Sequence, residues 1–344
     1  MSIQAPAALF DHDAVRRAVD ATLAAYMNDQ IRTAHHRGLP REPLHALSEF
    51  LGSGGKRIRP VLCVAGWQAG GGIGTPEPVL RAAASLEMFH ASVLVHDDII
   101  DASDTRRGHP TVHRQAGTAA AILIGDLALI LADDLLHGAG LAPEQLTSVL
   151  RVANRLRIDT IYGQYLDLAH SGRPPADVAP AMAIVHHKTA KYTVEGPLLL
   201  GAALAGADPA VSGLLHAYGI PIGEAFQLRD DLLGIFGNPH ETGKPALDDL
   251  REGKATVLMA LALQQADPDQ LHTLRRYVGD PKLTSAQAEQ VRAVLVDTGA
   301  RTAVENMIEQ RRHSALSTLS TADLPAHIIT ALHSQAFSAT ARTT

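Results

Sequence analysis

The sequence predicts an all-α protein. Apolar residues recur at three- and four-residue spacing through most of the chain, strand-type alternation with Asn-Gly turns is absent, and the breaks are short and rich in glycine and proline. The clearest periodic stretches are "VLRAAASLEMFHASVLVHDDIID" (79–101), "IVHHKTAKYTVEGPLLLGAALAG" (184–206) and "LLHAYGIPIGEAFQLRDDLLGIFG" (214–237). Between the first two lies the longest apolar run, "AAAILIGDLALILA", which carries Asp126 and is too short to span a bilayer, so it reads as a buried core helix. Loops are expected at "RGLPREP", "AGGGIGTPEP", "SGRPPADVAP", "AGADPA" and "FGNPHETGKPALDDLREGK". None is a long low-complexity linker and no short repeat is visible, so residues 1–344 are expected to form a single domain, with frayed ends at about 1–10 and 338–344.

The 344 residues are 46% hydrophobic and 19% charged, enough to bury a large core and incompatible with a disordered chain. The formal net charge is −6, so there is no basic excess for nucleic acid or an anionic membrane surface, and any anion must be held by local clusters. The single cysteine, Cys63, cannot form an internal disulfide. Together with the start "MSIQAPAALFDHD", which lacks a basic segment and an apolar run, it points to a reduced, cytoplasmic setting. Eighteen histidines, with His109 and His113 one helical turn apart, invite a zinc reading, but there is neither a cysteine set nor an HExxH pattern to support it.

The first periodic stretch ends in an acidic cluster, "HDDIIDASD". Asp97 and Asp101 lie one helical turn apart and project from one face, with Cβ atoms roughly 5–6 Å apart, and Asp98 adds to the field. Like charges at that spacing cost a helix about 0.2–0.5 kcal/mol, which calls for a cation. The apolar "ASVLV" just before them argues against a merely solvated face, and hard oxygen donors on a rigid face suit Mg²⁺ bridging to substrate phosphates. A second pair, Asp230 and Asp231, rides the third stretch. Cations recur beside glycine turns and near these pairs: Lys56, Arg57 and Arg59; Arg106 and Arg107; Lys188 and Lys191; Lys244 and Lys254. Arginine forks match phosphate bidentately, and lysines act as point charges.

Taken together, "GGKRIRP", "HDDIIDASDTRRGHPTVH", "GQYLDL", "KTAKYT", "FQLRDDLLG" and "TGKP" resemble the trans-isoprenyl diphosphate synthases, the polyprenyl synthetase family, and most of all its bacterial geranylgeranyl diphosphate synthases. The resemblance implies an isoprenoid-synthase fold, a ring of helices around a deep central cavity, in a homodimer. It also implies head-to-tail prenyl transfer from dimethylallyl, geranyl or farnesyl diphosphate to isopentenyl diphosphate, with three Mg²⁺ ions per site. Carried over by position, Asp97, Asp101 and Asp230 are metal ligands, with Asp98 and Asp231 beside them. Arg106, Lys188, Gln227 and Lys244 hold the allylic diphosphate, Thr189 lies beside the reacting carbon, and Lys254 closes over it. Lys56, Arg59, His90 and Arg107 hold isopentenyl diphosphate, with Arg57 in the same loop. One departure stands out: Gly234 occupies the place where many members carry the last aspartate of the second motif, usually a helper rather than a ligand.

In this family the growing tail runs beside the helix of the first motif. Val93 and Ser92, four and five residues upstream of Asp97, are not aromatic, which argues against a C15 stop. Phe89 lies about 4.5 Å further along the axis than Ser92, close to one isoprene unit, so a floor there implies a C20 product. Longer products (C25 or more) and C15 remain open, as does a floor on another helix. A class I terpene cyclase is opposed by "RDDLLG" and "GGKRIRP", and a silent partner subunit by the survival of both acidic motifs.

Overall fold

The computed structural model describes residues 10–172, 176–237 and 247–340, which are almost entirely helical, as the periodicity predicts. They fall into two compact units. One comprises the described chain up to Val152 with Pro197–Ser212 and Asp323–Leu332; the other comprises Ala153–Gly196, Gly213–Ala322 and the described chain from His333.

The first unit contains α1 (His12–His36), α2 (Glu42–Gly52), α3 (Ile58–Ala69), α4 (Glu77–Ile100), α5 (Val112–Ala116), α6 (Thr118–His137) and the start of α7 (Pro143–His170). Asp11 caps α1 by accepting from the Ala14 amide at 2.9 Å. Pro76 stands at the N-cap of α4, and the proline that follows in its first turn lacks only an N–H that would have had no partner inside the helix. α4 packs along α6, α3 and α1. Two glycines bring α3 against α9 (Gly196–Ala205). A Cβ on Gly66 would lie 2.0 Å from the Leu198 carbonyl oxygen, and one on Gly201 would lie 1.9 Å from that of Cys63.

Helix α6 departs from the expected buried core helix. Ala121, Ile124, Ala128, Leu131, Ala132 and Leu135 are buried, but Leu123 is 67% and Ile130 62% exposed, and the Asp126 side chain is also open. Its inner face suffices for packing, so the outer one stays apolar and uncovered. A second departure is a small hairpin, β1 (Thr105–Arg106) with β2 (His109–Pro110). Its turn residues, Arg107 (φ 55°) and Gly108 (φ 79°), both have positive φ, the requirement of a type I′ turn.

The second unit contains the rest of α7, α8 (Val178–Ile184), a π-helix (Val185–Glu195), most of α10 (Pro209–Phe236), α11 (Asp248–Glu252), α12 (Val257–Gln265), α13 (Pro268–Tyr277), α14 (Ser285–Asp297), α15 (Ala300–Ser320) and part of α16 (Ala326–Thr340). Its core joins Leu228, Leu232 and Ile235 of α10 to Val257 and Leu258 of α12, Val291 and Leu295 of α14, and Val304 and Ile308 of α15. Capping boxes at Asp267 with Gln270 and at Thr284 with Gln287 start α13 and α14. Helix α11 lies inside a stretch expected as loop, and residues 338–340, expected to fray, complete α16, where the Thr340 carbonyl accepts from Arg229 Nε at 2.9 Å.

The π-helix replaces the α-helix that the spacing of "KTAKYT" suggests. Glycines on its neighbours let the wider backbone approach: a Cβ on Gly163 of α7 would lie 2.2 Å from the Lys188 amide nitrogen. On α10, a Cβ on Gly223 would lie 2.4 Å from Ala190 Cα, and one on Gly219 would lie 2.9 Å from Glu195 Cα. π-turns are rare and gather at functional sites; this one carries Lys188 and Thr189.

Candidate active site

The residues nominated from sequence fall into two groups, one in each unit. In the first, Asp97 ends the last turn but one of α4 and Asp101 is its C-cap, with the Asp101 amide bonded to the Asp97 carbonyl at 2.8 Å. This places both carboxylates at the negative pole of a 24-residue helix, where the backbone adds to the attraction for a cation. The helix closes through a Schellman pattern: Ser103 N to Asp98 O at 3.0 Å and Ala102 N to Ile99 O at 3.3 Å, with Ala102 in the left-handed region (φ 50°). Among the described residues the non-glycine positions with positive φ are Arg57, Ala102 and Arg107, all in this group or beside it. Backbone strain of that kind collects where function over-determines geometry.

Asp98 continues the buried stripe of Ala91 and Val95 and is 1% exposed. Its burial is met by Arg106, whose Nη2 and Nε reach Asp98 Oδ1 at 2.7 and 2.8 Å and whose Nε reaches Oδ2 at 3.0 Å. Burial raises the Asp98 pKa above the usual carboxylate range, and the arginine opposes that rise. Arg106 also lies 3.7 Å from Asp97. Asp98 therefore holds an arginine beside Asp97, in keeping with its expected role as a support.

Arg57 does not fit the substrate-binding role expected of it. It is 6% exposed, and its fork is committed to Asp20 (2.7 Å), Glu87 (2.7 Å) and the Leu51 carbonyl (2.6 Å). Burial works against its charge, but Glu87 and Asp20 outweigh it and raise its pKa. Its work is to lock the "GGKRIRP" turn. Arg107 bonds the Gly54 carbonyl and lies over the Phe50 ring at 5.7 Å. Lys56 is exposed and Arg59 half-buried.

His90 lies two turns before Asp97 on α4. Its pKa falls well below the usual value, chiefly through burial and then through Arg59, Arg107, Arg106 and Arg57, so it is neutral at physiological pH. The unfolded chain takes up a proton at this residue below about pH 6.5, whereas the native chain does not, so this contribution to stability is lost as pH falls. Wild type is expected to lose about 1 kcal/mol more between pH 7.5 and 5.5 than His90→Gln does, by urea unfolding. Equal losses would overturn the neutral-imidazole assignment.

In the second group, Gln227, Asp230, Asp231 and Gly234 share one face of α10, about 120° around the helix from its buried Leu228, Leu232 and Ile235. Thr189 Oγ1 donates to Gln227 Oε1 at 2.6 Å, and Gln227 Nε2 donates to Asp231 Oδ1 at 2.7 Å. The Asp231 pKa is pushed up to about 7, first by burial and then by the charges of Asp249 and Asp230. Lys188 pairs with Asp167 of α7 at 2.5 Å, and Lys191 with Asp159 at 3.2 Å. Lys254 pairs with Asp249 at 3.0 Å and Glu252 at 3.1 Å. Lys244 lies outside the described residues. Sequence reasoning passed over Asp167, although "GQYLDL" contains it, and Asp249, although "DDLREGK" had already supplied Lys254.

The donors fit Mg²⁺. They are hard carboxylates in crowded, half-buried surroundings, where a divalent cation relieves mutual repulsion. Among the described residues no three histidine, cysteine or acidic side chains converge into a metal cage. Mg²⁺ needs no such cage, because it keeps its waters and takes one or two carboxylates plus phosphate oxygens. No described helix is long and apolar enough to cross a membrane.

Comparison with known proteins agrees with this geometry. The polyprenyl synthetase family model matches residues 41–295. The chain is 34% identical over 302 residues to a geranylgeranyl diphosphate synthase of Mycobacterium tuberculosis, covering 83% of this chain and 84% of that one. It is also 34% identical over 259 residues to a geranylfarnesyl diphosphate synthase of Aeropyrum pernix, covering 72% and 77%. Among solved structures, the geranylgeranyl pyrophosphate synthase of Corynebacterium glutamicum, complexed with isoprenyl diphosphate and magnesium, is similar with a TM-score of 0.91 and 40% identity, over 96% of this chain and 99% of that one.

Proposed function

The chain belongs to the polyprenyl synthetase family, and we propose that within it the protein elongates allylic diphosphates with isopentenyl diphosphate to an all-trans C20 product, geranylgeranyl diphosphate. The observation that carries this reading is the Asp97 and Asp101 pair at the negative pole of α4, with Arg106 fixed beside it by Asp98.

The reaction breaks the C1–O bond of the allylic diphosphate, joins C1 to the double bond of isopentenyl diphosphate and expels a proton. Bound Mg²⁺, three ions in this reading, supplies the charge that stabilises the leaving diphosphate. Asp97, Asp101 and Asp230 hold it. Arg106, Lys188, Gln227 and Lys244 take the allylic diphosphate, Lys254 closes over it, and Lys56, Arg59, His90 and Arg107 take isopentenyl diphosphate. Neutral His90 offers a hydrogen bond without adding a charge among the arginines. The hydrogen bonds from Thr189 to Gln227 and from Gln227 to Asp231 orient the Thr189 hydroxyl, which in this reading lies beside the reacting carbon, where a developing cation needs an oxygen dipole rather than a nucleophile. Residues 1–344 are read as a single domain. It works as a cytoplasmic homodimer, for which the apolar outer face of α6, with Leu123 and Ile130, offers area to a second copy.

Phe89 and Ser92, each 3% exposed on α4, and half-buried Val93 set the product length. The test supplies Mg²⁺, isopentenyl diphosphate and C5, C10 or C15 primers, then reads the dephosphorylated alcohols by mass spectrometry. C20 from all three primers, lost on chelation, is expected, with a shift toward C25 in Phe89→Ala. A C25 alcohol from wild type favours the second reading, to which the geranylfarnesyl relative lends weight. An unchanged product in Phe89→Ala removes that floor, and no elongation at all removes the synthase assignment.

A further inference from the structure

The second aspartate-rich motif ends in glycine, and the space its side chain would fill is taken. A Cβ on Gly234 would lie 1.8 Å from Asp249 Oδ2 and 3.0 Å from Asp249 Cγ. The carboxylate of Asp249, on α11, therefore stands where the side chain of residue 234 would begin. Its own side chain is 14% exposed, and its Oδ1 bonds Lys254 at 3.0 Å. A surface carboxylate explains none of these contacts.

We propose that Asp249 supplies, from α11, the carboxylate that the motif on α10 lacks at Gly234, and that it acts as a positioning residue for Asp231 and Lys254. The proposal rests on the prenyltransferase reading of this site. In its present rotamer the Asp249 carboxylate fills the volume that a side chain at 234 would enter, so a larger residue there would have to displace it. Glycine at 234 thus leaves this place beside the motif open to Asp249. Because the helper comes from a different helix, which also carries its charge to Lys254, the acidic face and the closing lysine are tied through one side chain.

Four proteins test this: wild type, Asp249→Asn, Gly234→Asp, and the exchange variant Gly234→Asp with Asp249→Ala. The readouts are the Mg²⁺ dependence of inorganic pyrophosphate binding by calorimetry, which needs no turnover, and kcat and KM for elongation. Asp249→Asn is expected to need about tenfold more Mg²⁺ for half-saturation, as loss of a supporting carboxylate does. Gly234→Asp alone is impaired because its side chain displaces the Asp249 carboxylate from Lys254, and the exchange variant regains most of the wild-type Mg²⁺ dependence. An unchanged Mg²⁺ requirement in Asp249→Asn, or a folded exchange variant without recovery, overturns the inference. Should the exchange variant not fold, the near-isosteric Asp249→Asn decides by its titration. If wild type neither binds pyrophosphate with Mg²⁺ nor elongates, the prenyltransferase reading falls instead.

Discussion

Asp97→Ala is expected to lower turnover about a thousandfold while leaving the fold as stable as before or more so. The activity loss follows from the assigned role, because a leaving diphosphate whose metal is misplaced loses several kcal/mol of charge stabilisation. The stability side is independent of that role. Asp97 stands near the C-terminal end of α4 with Asp98 beside it and Asp101 one turn on. Asp97 opposes the helix dipole and is repelled by its acidic neighbours, at about 0.3–1 kcal/mol, against only a looser 3.7 Å ion pair with Arg106, whose fork is held by Asp98. Steady-state kinetics and a melting curve check both sides. Turnover within about tenfold of wild type would sink the metal assignment. A melting temperature lower by several degrees would make Asp97 a structural residue instead.

Arg57→Met carries the largest expected loss of stability, about 3–5 kcal/mol. Glu87 is 4% exposed and its bond to Arg57 is 2.7 Å, so removing the arginine strands a buried carboxylate. Asp20, with its side chain 46% exposed, loses a partner but keeps water and contributes little. The double variant Arg57→Met with Glu87→Met is expected to recover most of the loss, because two apolar side chains leave no stranded charge. Chemical denaturation of the three variants measures this. A single variant as stable as wild type would refute the locking role, and a raised KM for isopentenyl diphosphate at unchanged stability would restore the direct-contact role expected from sequence.

What was legible in the sequence was whatever depends on spacing along one helix. The face shared by Asp97 and Asp101, and that shared by Gln227, Asp230 and Asp231, follow from 3.6 residues per turn, and the structure keeps both. What escaped depends on a partner brought in by the fold. Arg57 reads like its neighbours Lys56 and Arg59, and only Glu87, thirty residues on, turns it inward. By residue type Asp98 reads like Asp97, and only the family resemblance set it apart as a support; one residue is about 100° of helix, enough to move it from a half-buried face to the core. The π-helix hides because its sequence has ordinary helical periodicity, and its cause lies in glycines on α7 and α10. The type I′ hairpin was passed over because Arg-Gly is not among the usual turn pairs.

Those glycines bear on how the protein can be changed. Gly163, Gly219 and Gly223 lie inside helices with ordinary backbone angles, where replacing glycine with alanine normally adds up to about 1 kcal/mol. An engineer working from propensity, or from helix maps alone, would choose them first. Here a single methyl group at any of the three meets backbone of the segment that presents Lys188 and Thr189. Routes to a hardier protein therefore lie elsewhere, and the helix-weakening residues in the middle of α7 and α10 are the ones that should be left alone.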